Sequence, residues 1–243
     1  MNTIARISLG ITLCISLSAG ALADWNPGDP YKTANPPQLP DPNGWDVCLA
    51  HQTVADDFMC GETGPITDVH FWFSYQQDLP SDIANVHLSI HSNIPIGGEN
   101  PYSYPGQLLW SRDFTPGQFT TRFYGSGDQG WYCPAEDYWQ RPDHTNFFQL
   151  NIANIVNPFI QNQGVIYWLD IQVETSNPDR PLGWKTSQDH WADAAVWWNG
   201  QLWLPMNDPE LPDAPALDMA FVITPEPASL LLVGAAGLFL RRR

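Results

Sequence analysis

Hydrophobic residues in this chain recur at every second position, in short runs that glycine and proline cut off. In ITDVHFWFSY, Val69, Phe71, Phe73 and Tyr75 alternate with His70, Trp72 and Ser74. In NVHLSIHS, Val86, Leu88 and Ile90 alternate with His87, Ser89 and His91. In VIYWLDIQVE, Leu169, Ile171 and Val173 oppose Asp170, Gln172 and Glu174. A period of two puts successive side chains on opposite faces, which suits a half-buried strand and no helix. QLLWSRDF, QFTTRFYG, NFFQLNI, LGWKTS, AAVWWN and LDMAFVI extend the series, with turns at IPIGGENP, TPG and GSGDQG. Such segments with Gly/Pro punctuation predict an all-β fold, a single antiparallel β-sandwich of jelly-roll type. One short helical turn is expected around residues 151–159.

The two ends read differently. MNTIARISLGITLCISLSAGALA places Arg6 before an apolar run and ends in Ala21-Leu22-Ala23, the small-residue pattern signal peptidase accepts. Residues 1–23 are therefore expected to be a removed secretory signal peptide. Residues 24–44 carry Pro27, Pro30, Pro36, Pro37, Pro40 and Pro42, a density that forbids helix and predicts an extended arm. The β-domain is expected over 45–224. At the C-terminus, Ala228 to Leu240 carry no charge and are followed by Arg241, Arg242 and Arg243. As a helix this apolar stretch is about 20 Å long, against ~30 Å of hydrocarbon, which suits a transient transmembrane anchor with its arginines inside.

Pro225-Glu226-Pro227, the apolar stretch and the arginine cluster together resemble the PEP-CTERM sorting signal of Gram-negative bacteria. The resemblance covers residues 225–243. It implies recognition by a membrane-embedded transpeptidase of the exosortase type, removal of the tail, and release or attachment of the body at the cell surface or in an exopolysaccharide matrix. VADDFMC, TDVHFWFSY, LLWSRDFTPGQF, GSGDQGWY, IYWLDIQV, GWKTSQDHW and LDMAFVIT resemble an uncharacterised domain that recurs in such proteins, over about Trp45–Thr224. That domain brings no established activity.

Residues 24–224 hold six Lys or Arg against 25 Asp or Glu, a formal charge of −19. So negative a body repels nucleic acid and argues against it as a partner. Cys14 leaves with the signal peptide, so Cys48, Cys60 and Cys133 allow one bridge and one spare thiol. Cys48–Cys60 is the favoured pairing, with Cys60–Cys133 as the other. No spacing suggests zinc. The cofactor the composition suggests is a structural Ca²⁺, from oxygen ligands in Asp56-Asp57, Asp41-x-Asn43-x-x-Asp46 or Glu136-Asp137.

Candidate chemistry is sparse. Gly125-Ser126-Gly127-Asp128-Gln129-Gly130 fits the dinucleotide spacing but precedes no helix, so it reads as a glycine-rich turn. His87 and His91 share a strand face about 13 Å apart, too far to chelate one ion. Asp170 and Glu174 are the weak catalytic candidates, on a polar strand face of the kind that lines a glycosidase groove. At about 13 Å between Cα atoms they approach the ~6.5–9.5 Å carboxyl spacing of inverting enzymes only if their side chains lean together. The aromatics are more distinctive. Trp131, Tyr132, Tyr138 and Trp139 lie in a loop rich in Pro and Asp. Trp197 and Trp198 are adjacent in a strand and must face opposite ways. Trp131, Tyr132, Tyr138, Trp139 and Trp198 are the candidate ligand-binding residues, able to stack on sugar faces while polar neighbours bond hydroxyls. The expectation is an exported, surface- or matrix-associated protein of structural or adhesive type, with exopolysaccharide as a candidate partner. The alternative is a secreted glycosidase or lyase, and a passive matrix component is the third reading.

Overall fold

The computed structural model describes residues 24–50 and 52–225. The expected signal peptide, Glu226, Pro227, the expected apolar anchor at 228–240 and the arginine cluster lie outside the described residues, and Pro225 is the last one inside. The chain is all-β. Its strands are β1 (Trp45–Cys48), β2 (Thr53–Met59), β3 (Gly64–Pro65), β4 (Asp68–Tyr75) and β5 (Ile83–Ile94). They continue as β6 (Tyr104–Phe114), β7 (Thr120–Cys133), β8 (Tyr138–Ile152), β9 (Ile160–Gln161) and β10 (Ile166–Thr175). The last five are β11 (Leu182–Ser187), β12 (Val196–Trp198), β13 (Trp203–Pro205), β14 (Asp218–Met219) and β15 (Phe221–Thr224). The only helical turns among the described residues are 3-10 turns at Gln76–Asp78 and Pro134–Glu136. The turn expected at 151–159 is absent: β8 runs through Ile152, and Asn154 and Asn157 then take positive φ in an irregular connection.

Two main sheets form. One has the order β13-β12-β2-β10-β5-β6, antiparallel throughout. The other has the order β14-β11-β1-β7-β8-β4-β15, with β11 also pairing β4. That extra pairing closes β11, β1, β7, β8 and β4 into a five-stranded, barrel-like ring. β1 and β7 in the ring run parallel, so the antiparallel expectation is corrected at this one junction. Alternation sets what each face does. Val69, Phe71 and Phe73 of β4, Leu150 of β8 and Trp184 of β11 join Val54, Phe58, Leu88 and Ile171 of the other sheet in one buried core. Phe58 meets Phe221 edge-on across it, ring centroids 6.4 Å apart.

The opposite faces of the ring strands enclose polar groups. Asp46 Oδ2 on β1 accepts hydrogen bonds from Lys185 Nζ on β11 at 3.0 Å and His144 Nε2 on β8 at 2.9 Å. All three side chains are fully buried. His144 Nδ1 stands 2.8 Å from Asp143 Oδ1, and the Lys185 ammonium lies 5.3 Å from the centre of the Phe147 ring. Asp46 and Lys185 are cross-strand partners on β1 and β11, but His144 and Phe147 reach them from β8, which pairs with neither strand, so ring closure brings the two sides together.

The proline-rich arm holds no helix and is stitched to the body rather than hanging free. Thr33, Gln38 and Pro40 bridge to Cys60, Phe221 and Ser187. Trp25 is buried edge-on against Trp72, centroids 5.9 Å apart. The glycine-rich run that reads as a turn lies inside β7, interrupted by register shifts. Close packing explains its glycines: a methyl at Gly127 would run into the Pro42 carbonyl of the arm, and one at Gly130 into the Trp45 ring.

Candidate functional site

The outer face of the six-stranded sheet carries an open cleft of about 870 Å³. Its floor follows from register. Trp198 pairs with Trp203 on one side and Thr53 on the other. Val54 pairs with Ile171, which places Thr53 opposite Gln172. Gln172 pairs with His87, and His87 with Asp113. Side chains in register share a face, so one row crosses all six strands from a tryptophan pair at one edge to a histidine–carboxylate pair at the other. Five strand spacings make this row roughly 24 Å long. Glu174, opposite Asn85, begins the next row and also lines the cleft.

The polar end is pre-arranged. Asp113 Oδ1 accepts from Asn85 Nδ2 at 3.0 Å and stands 2.9 Å from His87 Nδ1. The hydrogen bonds from Asn85 and His87 hold the Asp113 carboxyl below the usual carboxylate range. At the aromatic end, the hairpin joining β12 and β13 turns on Asn199, whose Oδ1 accepts from the backbone N–H groups of Gln201 and Leu202. Gly200 supplies the positive φ. The hairpin sets Trp198 against Trp203 at 5.4 Å, and Trp198 is 37 % exposed. Loops complete the rim: Ala50 and Gln52 between β1 and β2, Ala135 after β7, and Pro178 and Pro181 after β10. The lining residues include neither lysine nor arginine.

The structure separates the residues singled out from sequence. Trp198 and Glu174 line the cleft. Trp131, expected at the surface, is 1 % exposed; it points into the ring and meets the His144 ring edge-on at 6.1 Å. Tyr132 packs against the main core. Both are corrections, because the expected loop is a 3-10 turn between two long strands, and period-two alternation continues through residues 131–133. Tyr138 and Trp139 are exposed, Trp139 at 44 %, but lie outside the cleft lining. Asp170 is 2 % exposed, and its Oδ2 accepts from Ser89 Oγ at 2.6 Å and faces His91 Nε2 at 2.7 Å. With the carboxylate between serine and histidine, no histidine stands ready to activate the hydroxyl, so this trio is a sheet-locking network rather than a nucleophile relay. Sequence reasoning passed over Asp113 and Asn85; the signal was His87, which pairs with Asp113 across to β6 and shares its strand face with Asn85 two residues earlier.

The acidic clusters do not assemble a cage. Asp56 and Asp57 leave β2 on opposite faces. Asp46 is held by Lys185 and His144, while Asp41 Oδ1 accepts from Gln188 Nε2 and from the Asn43 backbone. Among the described residues no three His, Cys, Asp or Glu are placed to hold a metal ion together. The expected Cys48–Cys60 pairing is also corrected: no bridge joins them, Cys48 clusters with Cys133, and Cys60 belongs to the main core.

Neither a curated protein nor a solved structure matches the chain. The profile of one family, a domain of unknown function, matches residues 34–224, which span the later part of the arm, both sheets and every residue of the cleft. The chain belongs to the DUF7901 family.

Proposed function

We propose that this chain is an exported, surface- or matrix-destined β-protein that holds polysaccharide in the cleft above its six-stranded sheet. The row running from Trp198 through Gln172 and His87 to Asp113 carries the reading. A sugar needs an aromatic face for its C–H surface and fixed polar groups for its hydroxyls, and this row offers both. Asp113 and Glu174 without any lysine or arginine select neutral or amino sugars and repel uronates and sulfated glycans. An array of neutral, amino and acidic glycans tests this: binding confined to the first two classes is expected, and binding to polyanions, or to nothing, contradicts it.

The hydrolase alternative is weaker at this site. A glycosidase needs one carboxyl kept protonated, and Asp113 is held ionised by its neighbours. Glu174 stands two strands and two residues from Asp113, roughly 12 Å between Cα atoms. Metal is not required for this reading, and a structural Ca²⁺ has no assembled site among the described residues.

Export rests on the two ends of the chain. The signal peptide and the Pro-Glu-Pro, apolar and arginine order support signal-peptidase processing, transient inner-membrane anchoring and exosortase-type cleavage. Mass spectrometry of the protein from its native cells is expected to show Asp24 at the N-terminus and loss of the tail with Arg241, Arg242 and Arg243. Alanines at Pro225, Glu226 and Pro227 are expected to leave the tail in place. Retention of Arg243 in the native product would contradict the sorting reading.

A further inference from the structure

β1 and β7 run parallel, with Asp46 beside Trp131 and Val47 beside Tyr132. One step further in the same register, Cys48 stands beside Cys133, each the last residue of its strand. Neighbouring strands lie about 4.8 Å apart, within the ~4.4–6.8 Å between Cα atoms that a disulfide bridges. Paired positions leave a sheet on the same face, and both cysteines do so: they share a small buried cluster with Trp131 and Ala50. Cys48 Sγ donates to the Ala50 carbonyl at 3.6 Å, and the nearness of the two thiols holds Cys48 below the ordinary thiol range and pushes Cys133 up. Cys60 sits in a different cluster, tied to the arm at Thr33.

We propose that Cys48 and Cys133 are joined by a disulfide in the exported protein, fastening the one parallel junction of the ring. Formation is a thiol–disulfide exchange. The Cys48 Sγ–Cys133 Sγ bond forms as the disulfide of an oxidoreductase in the export compartment breaks. The two electrons and two protons of the cysteine thiols pass to it, leaving that carrier as a dithiol. Both thiols are buried in the finished fold, so exchange takes place during folding, before the ring closes over them. The oxidant rests on the export reading; the pairing rests on register alone.

The test separates the two. The full chain, reduced and unfolded, is refolded in a glutathione redox buffer, free thiols are alkylated, and the protein is cleaved on the N-terminal side of aspartate. Cys48, Cys60 and Cys133 then fall on residues 46–55, 57–67 and 128–136. The expected product is 46–55 linked to 128–136, lighter by two hydrogens than the separate peptides, with Cys60 alkylated. Cys60→Ser should leave the link intact and Cys133→Ser should free Cys48. Three alkylated cysteines, or a link through Cys60, would overturn the pairing. A link formed in the buffer but missing from protein of native cells would overturn its formation on export and leave the register argument standing.

Discussion

Asp46→Ala is expected to destabilise the fold by about 3–5 kcal/mol, read as a large drop in the urea midpoint. Asp46 is the one carboxylate shared by Lys185 and His144 inside the ring. Burial alone would raise its pKa, but the Lys185 ammonium and the His144 hydrogen bond outweigh this and leave it below the usual range. Without Asp46, a fully buried ammonium loses its hydrogen-bonded carboxylate and is left against the face of Phe147, and an uncompensated buried charge is far more expensive than the pair was worth. Asp46→Ala combined with Lys185→Met is therefore expected to recover part of the loss, since an apolar chain of similar length needs no counter-charge. A midpoint unchanged in Asp46→Ala would show that the ring does not depend on this contact.

Stability is expected to be higher at pH 5 than at pH 9, by about 3 kcal/mol or more. Burial pulls the His144 pKa down, but hydrogen bonds to Asp143 and Asp46 win and carry it up to about 9. A histidine raised on folding contributes fully below its unfolded value near 6.5 and loses that contribution as pH climbs through 9. Asp57 acts in the same direction. Burial, reinforced by the Asp193 and Asp218 carboxylates, pushes it up to about 8. A carboxyl with a raised folded pKa binds its proton more tightly in the native state. Its contribution is present at low pH and disappears between the unfolded value near 3.8 and 8. Asp56 and Asp218, raised chiefly by burial, add to the trend. Asp46 opposes it only in acid, below its unfolded value of 3.8, while His70 and Lys185, both lowered chiefly by burial, oppose it as well. Urea midpoints across this range check the sign; a flat profile, or one rising toward alkaline pH, would contradict it.

Alternation was the readable part of the fold. Each run of period-two residues became a strand or part of one, and the opposition of Trp197 and Trp198 came out as expected: Trp197 packs on the core and Trp198 opens to the cleft. Closure of the ring was not readable. It depends on β11 pairing with both β1 and β4, a long-range choice that leaves no local mark in LGWKTS beyond a lysine at a position that must be buried. That lysine and Asp46 look like ordinary surface charges until topology brings them together. The glycine run misled for a related reason: Gly127 and Gly130 make room for Pro42 and Trp45, and a close approach reads in sequence like a turn. Turn-forming composition misled again at Trp131, where neighbouring Pro and Asp suggested a loop that is only a 3-10 turn. For the cleft, strand-face arithmetic placed His87 and Glu174 correctly on an outward face. Cross-strand register, invisible in one dimension, added Asp113 and Asn85 to them.

Two exposed tryptophans offer competing platforms for a sugar, and they separate cleanly. Trp198 stands at the head of the polar row; Trp139 lies on β8, outside the cleft. Isothermal titration of a neutral or amino oligosaccharide into the wild type, Trp198→Ala and Trp139→Ala decides between them. Loss of a stacking platform at the row is expected to weaken binding about 10-fold or more in Trp198→Ala, roughly 1.4 kcal/mol, while Trp139→Ala binds as the wild type does. Equal affinities in the wild type and Trp198→Ala, or a loss confined to Trp139→Ala, would show that the cleft is not where this protein holds its ligand.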